Sequence, residues 1–188
     1  MRHVALFHSV YGLLPSVHAA ADELAAAGHD LLVPDLYAGQ VAHSLDEGFA
    51  LAEQIGWTTI MRRARHAVRG LPADTVLAGL SMGAGVAGSL LADRREAAGL
   101  LLLHGTGGDA ATVRTGLPIQ LHIAETDELF PPQHVSAWRT TVAAAGATVQ
   151  VYTYPGVGHF FTDPDAGDHD PAATARTWQR AQEFLDNL

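Results

Sequence analysis

The sequence contains no cysteine and no lysine, and each absence excludes several kinds of site. Without cysteine there can be no disulfide, no thiolate zinc site and no cysteine nucleophile. Without lysine, Schiff-base enzymes, Walker-type phosphate loops and Ser-Lys dyads are excluded, because each requires a lysine amine. All eleven basic residues are arginine.

Positive charge and long apolar runs are also scarce. The formal net charge is −9, which argues against a nucleic-acid partner because phosphate binding needs a basic face. No apolar run approaches the roughly 20 residues that span a bilayer, and the N-terminal apolar segment is too short for a signal-peptide core. We therefore expect a cytoplasmic protein whose partner is a small-molecule substrate, with no nucleic-acid or membrane partner. The composition leaves the oligomeric state open.

The length of 188 residues fits one domain, which we expect to span residues 1–188 without a large cap. Short apolar runs alternate with helical patterns, which predicts βαβ units and a parallel sheet in an α/β fold. Most of the runs are continuously apolar, as in strands covered by helices on both faces. The predicted strands are His3–His8, Leu31–Pro34, Thr75–Leu80, Gly99–Leu103, Ile119–Ala124 and Thr148–Tyr154.

Helix boundaries are marked by capping residues and glycines. Ser16 is a candidate N-cap for the first helix, which Gly28 would end, and Asp170 is a candidate N-cap for the last. A partly helical segment before the third strand contains two candidate breaks, Gly48 and Gly56.

The clearest local motif is Gly79-Leu80-Ser81-Met82-Gly83, between a predicted strand and a predicted helix. This is the G-x-S-x-G nucleophile elbow in the context that it requires. A serine on a tight strand-to-helix turn has a strained backbone, so its neighbours two residues away must be small. The alternative is a glycine-rich turn between a strand and a helix that has no catalytic role. The context favours Ser81 as a nucleophile.

A serine nucleophile needs a base within hydrogen-bond reach. Eleven histidines are candidates, and His159 fits best because it follows the last predicted strand in a glycine-containing loop. His104 ends a strand on the same edge of the sheet and is a candidate for the pocket. The orienting acid should follow a strand between the serine and the base, which favours Asp127 over its neighbours Glu125 and Glu128. The predicted order Ser, Asp, His is that of an α/β-hydrolase triad.

The sequence resembles the dienelactone hydrolase family of α/β-hydrolases over nearly its whole length. The matching segments are Val33-Pro34-Asp35-Leu36-Tyr37, the elbow around Ser81, Glu125-Thr126-Asp127 with Pro131, and Tyr154-x-x-x-Gly158-His159-x-Phe161. The resemblance implies a three-layer sandwich around a mostly parallel sheet of about six strands in the order 2-1-3-4-5-6. It also implies an oxyanion hole formed by the backbone N–H groups of Val10 and Met82.

Two positions depart from the archetype of this family. That archetype has a cysteine nucleophile and an activating glutamate after the first strand, where this chain has Ser81 and Ser9. The two changes are chemically consistent, because a Ser-His-Asp triad needs no second carboxylate to prepare a thiolate. They leave open whether a dienelactone is a substrate.

Together these features predict a serine hydrolase that cleaves an ester, lactone or thioester through an acyl-enzyme on Ser81. No metal or other cofactor is expected, and the role of the acidic loop 163–170 is left open. The alternatives are a catalytically silent binding protein of the same fold, a peptidase and an acyltransferase. The candidate substrate-pocket residues are Ser9, Tyr11, Tyr37, His104 and Phe160.

Overall fold

The computed structural model describes all 188 residues. Its centre is a six-stranded sheet in the order β2-β1-β3-β4-β5-β6, in which every neighbouring pair is parallel. The order predicted through the family resemblance is therefore confirmed. The strands are β1 His3–Phe7, β2 Asp30–Leu32, β3 Val76–Leu80, β4 Leu100–Leu103, β5 Pro118–Ala124 and β6 Thr148–Tyr154.

Helices cover both faces of the sheet. They are α1 Pro15–Ala26, α2 Leu45–Ile55, α3 Trp57–Val68, α4 Met82–Leu90, α5 Pro132–Ala144 and α6 Pro171–Asp186. Residues of α1 and α6 pack in one core cluster, and residues of α3, α4 and α5 pack in the other. Successive residues of β1 alternate between the two clusters, since Val4 and Leu6 belong to the first, and Ala5 and Phe7 to the second. The continuously apolar strands are thus explained by burial on both sides.

The helix boundaries agree with the sequence except at α1 and between α2 and α3. Ser16 is not an N-cap, because Pro15 already occupies the first helical position and its fixed φ suits that place. The Ser16 hydroxyl instead donates to Asp163 across 2.9 Å. Of the two candidate breaks, only Gly56 separates helices, at φ 82°. Asp170 caps α6 as predicted and accepts from the Ala173 N–H.

The strand order reverses between β1 and β3, so the loops at their carboxyl ends diverge and leave a crevice there. Ser81 directly follows β3, and the loops after β1, β5 and β6 reach the same edge of the sheet. This topology brings residues distant in sequence together. None of the helices combines the length and the apolar character needed to cross a membrane.

Candidate active site

Ser81 lies on the sharp turn between β3 and α4. Its backbone angles are φ 53° and ψ −110°, a region that non-glycine residues rarely occupy. The turn is possible because its flanking residues lack side chains. A Cβ at Gly79 would overlap the carbonyl of Gly83, and one at Gly83 would overlap the carbonyl of Phe7. The two glycines therefore let α4 begin against the end of β1.

Ser81, His159 and Asp127 form a continuous hydrogen-bonded chain. Ser81 Oγ lies 2.9 Å from His159 Nε2, and His159 Nδ1 lies 2.6 Å from Asp127 Oδ2. The Asp127 side chain is fully buried, and that of His159 is 11% exposed. The structure thus brings the three residues together in the arrangement expected from the sequence. It is one that can activate a hydroxyl as a nucleophile.

The carboxylate of Asp127 determines which nitrogen of His159 carries the proton. An ionised carboxylate only accepts, so Nδ1 donates to Oδ2 and Nε2 presents its lone pair to the Ser81 hydroxyl. The other oxygen, Oδ1, accepts the backbone N–H groups of Leu129 and Phe130 at 2.9 and 3.2 Å. These bonds fix the carboxylate plane and thereby the orientation of the imidazole.

The loop that carries His159 is held from two sides. Asp168 Oδ2 accepts the Phe160 N–H at 2.9 Å, and its carboxyl group packs where a Cβ of Gly158 would lie. From the residue after β4, His104 Nε2 contacts Thr162 Oγ1 at 2.6 Å. Complete burial lowers the pKa of His104 well below its ordinary value. It therefore remains neutral beside His159, whose ring centre is 6.0 Å away.

The loop after β1 carries the candidate oxyanion donor Val10 and begins beside the turn at Ser81, where a Cβ at Gly83 would overlap the carbonyls of Phe7 and His8. His8 Nδ1 contacts the Ser9 carbonyl at 2.8 Å and must donate to it, which leaves Nε2 to accept the Leu36 N–H at 3.0 Å. Burial lowers the pKa of His8 and favours this neutral form. The Val10 N–H has no acceptor within the protein, and the Met82 N–H belongs to the first helical turn, which has no intrahelical acceptor.

Two depressions adjoin this chain of residues and share no lining residue. The first, which we call the acidic cleft, has a volume of about 710 Å³ beside His159. Its carboxylates are Asp127, Glu128, Asp163, Asp165 and Asp168. The second, which we call the apolar groove, has a volume of about 450 Å³ beside Ser81, with Val10, Met82, Phe130, Phe49 and Trp57 among its lining residues.

The five candidate pocket residues occupy three different places. Tyr11 and Phe160 line the acidic cleft with their ring centres 5.0 Å apart. Ser9 and His104 instead line a small cavity of about 20 Å³, which Phe160 also lines. Tyr37 lines neither depression, because its side chain is fully buried and donates to the sulfur of Met82 at 3.2 Å. Burial raises the Tyr37 pKa to about 12.

The sequence reasoning missed Phe49 and Trp57, which lie in α2 and at the start of α3. Each is 47% exposed at the groove. The only sequence feature that pointed to them was a large aromatic side chain in a helical segment whose breaks, at Gly48 or Gly56, could not be assigned. In the acidic loop, the carboxylates of Asp163 and Asp168 accept hydrogen bonds from the protein, and no group of three or more His, Cys, Asp or Glu side chains is arranged to hold a metal ion.

Comparisons with known proteins add the following. The model of the dienelactone hydrolase family matches residues 1–188, whereas no curated protein matched the sequence. A dienelactone hydrolase-like promiscuous phosphotriesterase from metagenomic libraries has a TM-score of 0.84 at 20% identity, over 100% of this chain and 87% of its own. Esterase 2 of Thermogutta terrifontis, solved phosphoramylated by tabun, has a TM-score of 0.66 at 16% identity, over 99% and 83%. At these identities the likeness shows the fold.

Proposed function

This chain belongs to the dienelactone hydrolase family, and from that premise we propose that it is a serine hydrolase of small-molecule esters, lactones or thioesters. The observation that carries the proposal is the hydrogen-bonded chain from Ser81 through His159 to Asp127, at 2.9 and 2.6 Å. A protein that only binds its ligand has no need of a strained serine aligned with an oriented imidazole. These features therefore favour catalysis over the silent binding protein.

In the proposed reaction, His159 Nε2 takes the proton of Ser81 as Oγ attacks the substrate carbonyl carbon. The resulting oxyanion accepts the N–H groups of Val10 and Met82. The imidazolium then protonates the leaving oxygen or sulfur, the bond to the leaving group breaks, and an acyl-enzyme remains on Ser81. Water, deprotonated by His159, attacks the acyl-enzyme, and the acid leaves as the Ser81 hydroxyl re-forms.

The strained backbone at Ser81 supports this reading. A φ of 53° costs on the order of 1–3 kcal/mol at a non-glycine residue. In return, Oγ lies 2.9 Å from His159 Nε2, and the N-terminus of α4 faces any charge that develops beside it. Each oxyanion donor in such a site contributes about 10²–10³ in rate.

The experiment is steady-state hydrolysis of p-nitrophenyl acetate and butyrate by the wild type and Ser81→Ala. We expect kcat to fall on the order of 10⁶-fold, with far-UV circular dichroism unchanged. The matched control is Ser89→Ala, in the same helix, whose hydroxyl only returns to the Gly85 carbonyl. Substantial turnover by Ser81→Ala contradicts the proposal, and an inactive wild type with aryl esters, acyl-CoA thioesters and small lactones favours the binding protein.

A further inference from the structure

The apolar groove is continuous with the proposed nucleophile but not with the proposed base. Ser81 is among its lining residues, and His159 is not. Phe130 separates the two depressions, because it lines the groove while its ring stacks against that of His159 at a centroid distance of 6.0 Å. Among the ten lining residues, the single charged side chain is Glu53. The nucleophile thus opens onto an apolar surface that has no cation.

The groove is built at the corner between α2 and α3. Gly56, at φ 82°, turns the chain so that Trp57 begins α3. The Trp57 ring lies over α4 at Gly85, where an added Cβ would be 3.6 Å from the ring. On the other helix, Gly48 packs against Val10, where a Cβ would approach the Val10 side chain and carbonyl to 3.0 Å. The corner between α2 and α3 is therefore packed against α4 at Gly85 and against Val10 in the loop after β1.

Two large aromatic side chains remain half exposed at this corner. Phe49 and Trp57 are each 47% exposed, and they face the same groove as Met82 and Phe130. Leaving such surface in water is unfavourable by about 25 cal/mol per Å². A cluster of this kind next to a reactive group marks a binding surface.

The chemistry of acyl transfer assigns a direction to each part of the substrate. The leaving group must lie within reach of His159 Nε2, which protonates it, and the oxyanion must face the N–H groups of Val10 and Met82. The fourth substituent of the tetrahedral carbon, the acyl group, then points away from His159. The apolar groove is the depression that is lined by Ser81 and not by His159.

We propose that the apolar groove is the acyl pocket and that it selects substrates with an uncharged, apolar acyl group. This inference rests on the proposed serine hydrolase function and names its substrate class. An acyl chain that carries a carboxylate would lose its hydration in the groove without gaining a cationic partner, and it would meet the carboxylate of Glu53. The groove therefore excludes anionic acyl groups as well as favouring apolar ones.

The test is kcat/KM for p-nitrophenyl esters from acetate to octanoate, with the p-nitrophenyl monoester of glutaric acid as the anionic probe. Burial of each methylene should raise kcat/KM about fourfold until the groove is filled. Phe49→Ala and Trp57→Ala should flatten this dependence, because each removes part of the apolar wall that a longer acyl chain would contact. Glu53→Gln should raise kcat/KM for the glutarate monoester about fivefold, the effect of removing one close like charge.

Val41→Ala is the matched control, because Val41 is also an exposed apolar residue but lines neither depression. It should keep the wild-type chain-length dependence. The inference is overturned if the wild type shows no such dependence, if the dependence survives in both aromatic variants, or if the glutarate monoester is preferred. It is also overturned if the aromatic variants change only the sedimentation coefficient, since the groove would then bind a second copy. Absence of any ester hydrolysis would instead refute the proposed function.

Discussion

Replacing Asp127 by asparagine tests whether the carboxylate fixes the protonation of His159. The two side chains have nearly the same shape, so the substitution changes hydrogen bonding with little change in packing. Oδ1 accepts two backbone N–H groups, from Leu129 and Phe130. A flipped amide would point its NH₂ group at both donors. The asparagine is therefore held with its NH₂ group toward His159 Nδ1.

This orientation reverses the tautomer of the base. His159 Nδ1 would have to accept from the asparagine, so its proton would reside on Nε2 and point at Ser81 Oγ. An imidazole in that form cannot take the serine proton. We expect kcat for p-nitrophenyl butyrate to fall about 10⁴-fold, with the urea midpoint lowered only modestly.

Glu125→Gln and Glu128→Gln are the controls, because both neighbouring carboxylates are exposed and neither hydrogen-bonds to His159. Each should retain most of the wild-type kcat. The reasoning is refuted if Asp127→Asn keeps more than about a tenth of kcat, a far smaller loss than tautomer reversal implies. It is also refuted if either glutamine variant loses as much.

Two further predictions concern the supporting residues. Burial lowers the pKa of His122 to about 3, and that of His104 well below 6.5. The unfolded chain therefore takes up protons below pH 6.5 that the folded chain does not, and stability present above that pH is lost as the pH falls toward 3. The free energy of unfolding from urea titrations should change little between pH 7.5 and 6.5 and should then fall toward pH 5, with a slope that approaches about 1.4 kcal/mol per pH unit for each histidine. A flat profile would contradict this. Asp168→Ala should lower kcat by up to about 10²-fold by releasing the His159 loop, whereas Asp165→Ala, in the same loop, should not. Equal losses of kcat in Asp168→Ala and Asp165→Ala would contradict this, because they would indicate that the loss of negative charge matters and not the hydrogen bond to the His159 loop.

The parts of the molecule that the sequence predicted well are those with a strong local signal. The strands are continuous apolar runs with helices on both faces, and the glycines around Ser81 are required by close contacts of the backbone. His159 and Asp127 were identified because each follows a strand at the same edge of the sheet. Parallel topology then brings such residues together, whatever their separation in sequence.

The parts that escaped prediction depend on how loops and helices turn. Tyr37 lies in the loop after β2, at the edge of the sheet where pocket residues are expected. That loop directs its ring into the core, where the hydroxyl contacts the sulfur of Met82. His104 directly follows β4 on the correct edge, yet its φ of 60° accompanies a side chain buried against Thr162. The groove aromatics Phe49 and Trp57 depend on which of two glycines breaks the helix. Local pattern contains no information on these choices, because tertiary packing decides them.

The most direct measurement of the central claim is mass spectrometry of the protein after treatment with a fluorophosphonate probe. An activated serine reacts with such a probe, whereas an ordinary surface serine does not. The account predicts a single adduct, mapped by peptide fragmentation to Ser81 and absent from both Ser81→Ala and His159→Ala. An unlabelled wild type, or an adduct on another residue that persists in those variants, would contradict it.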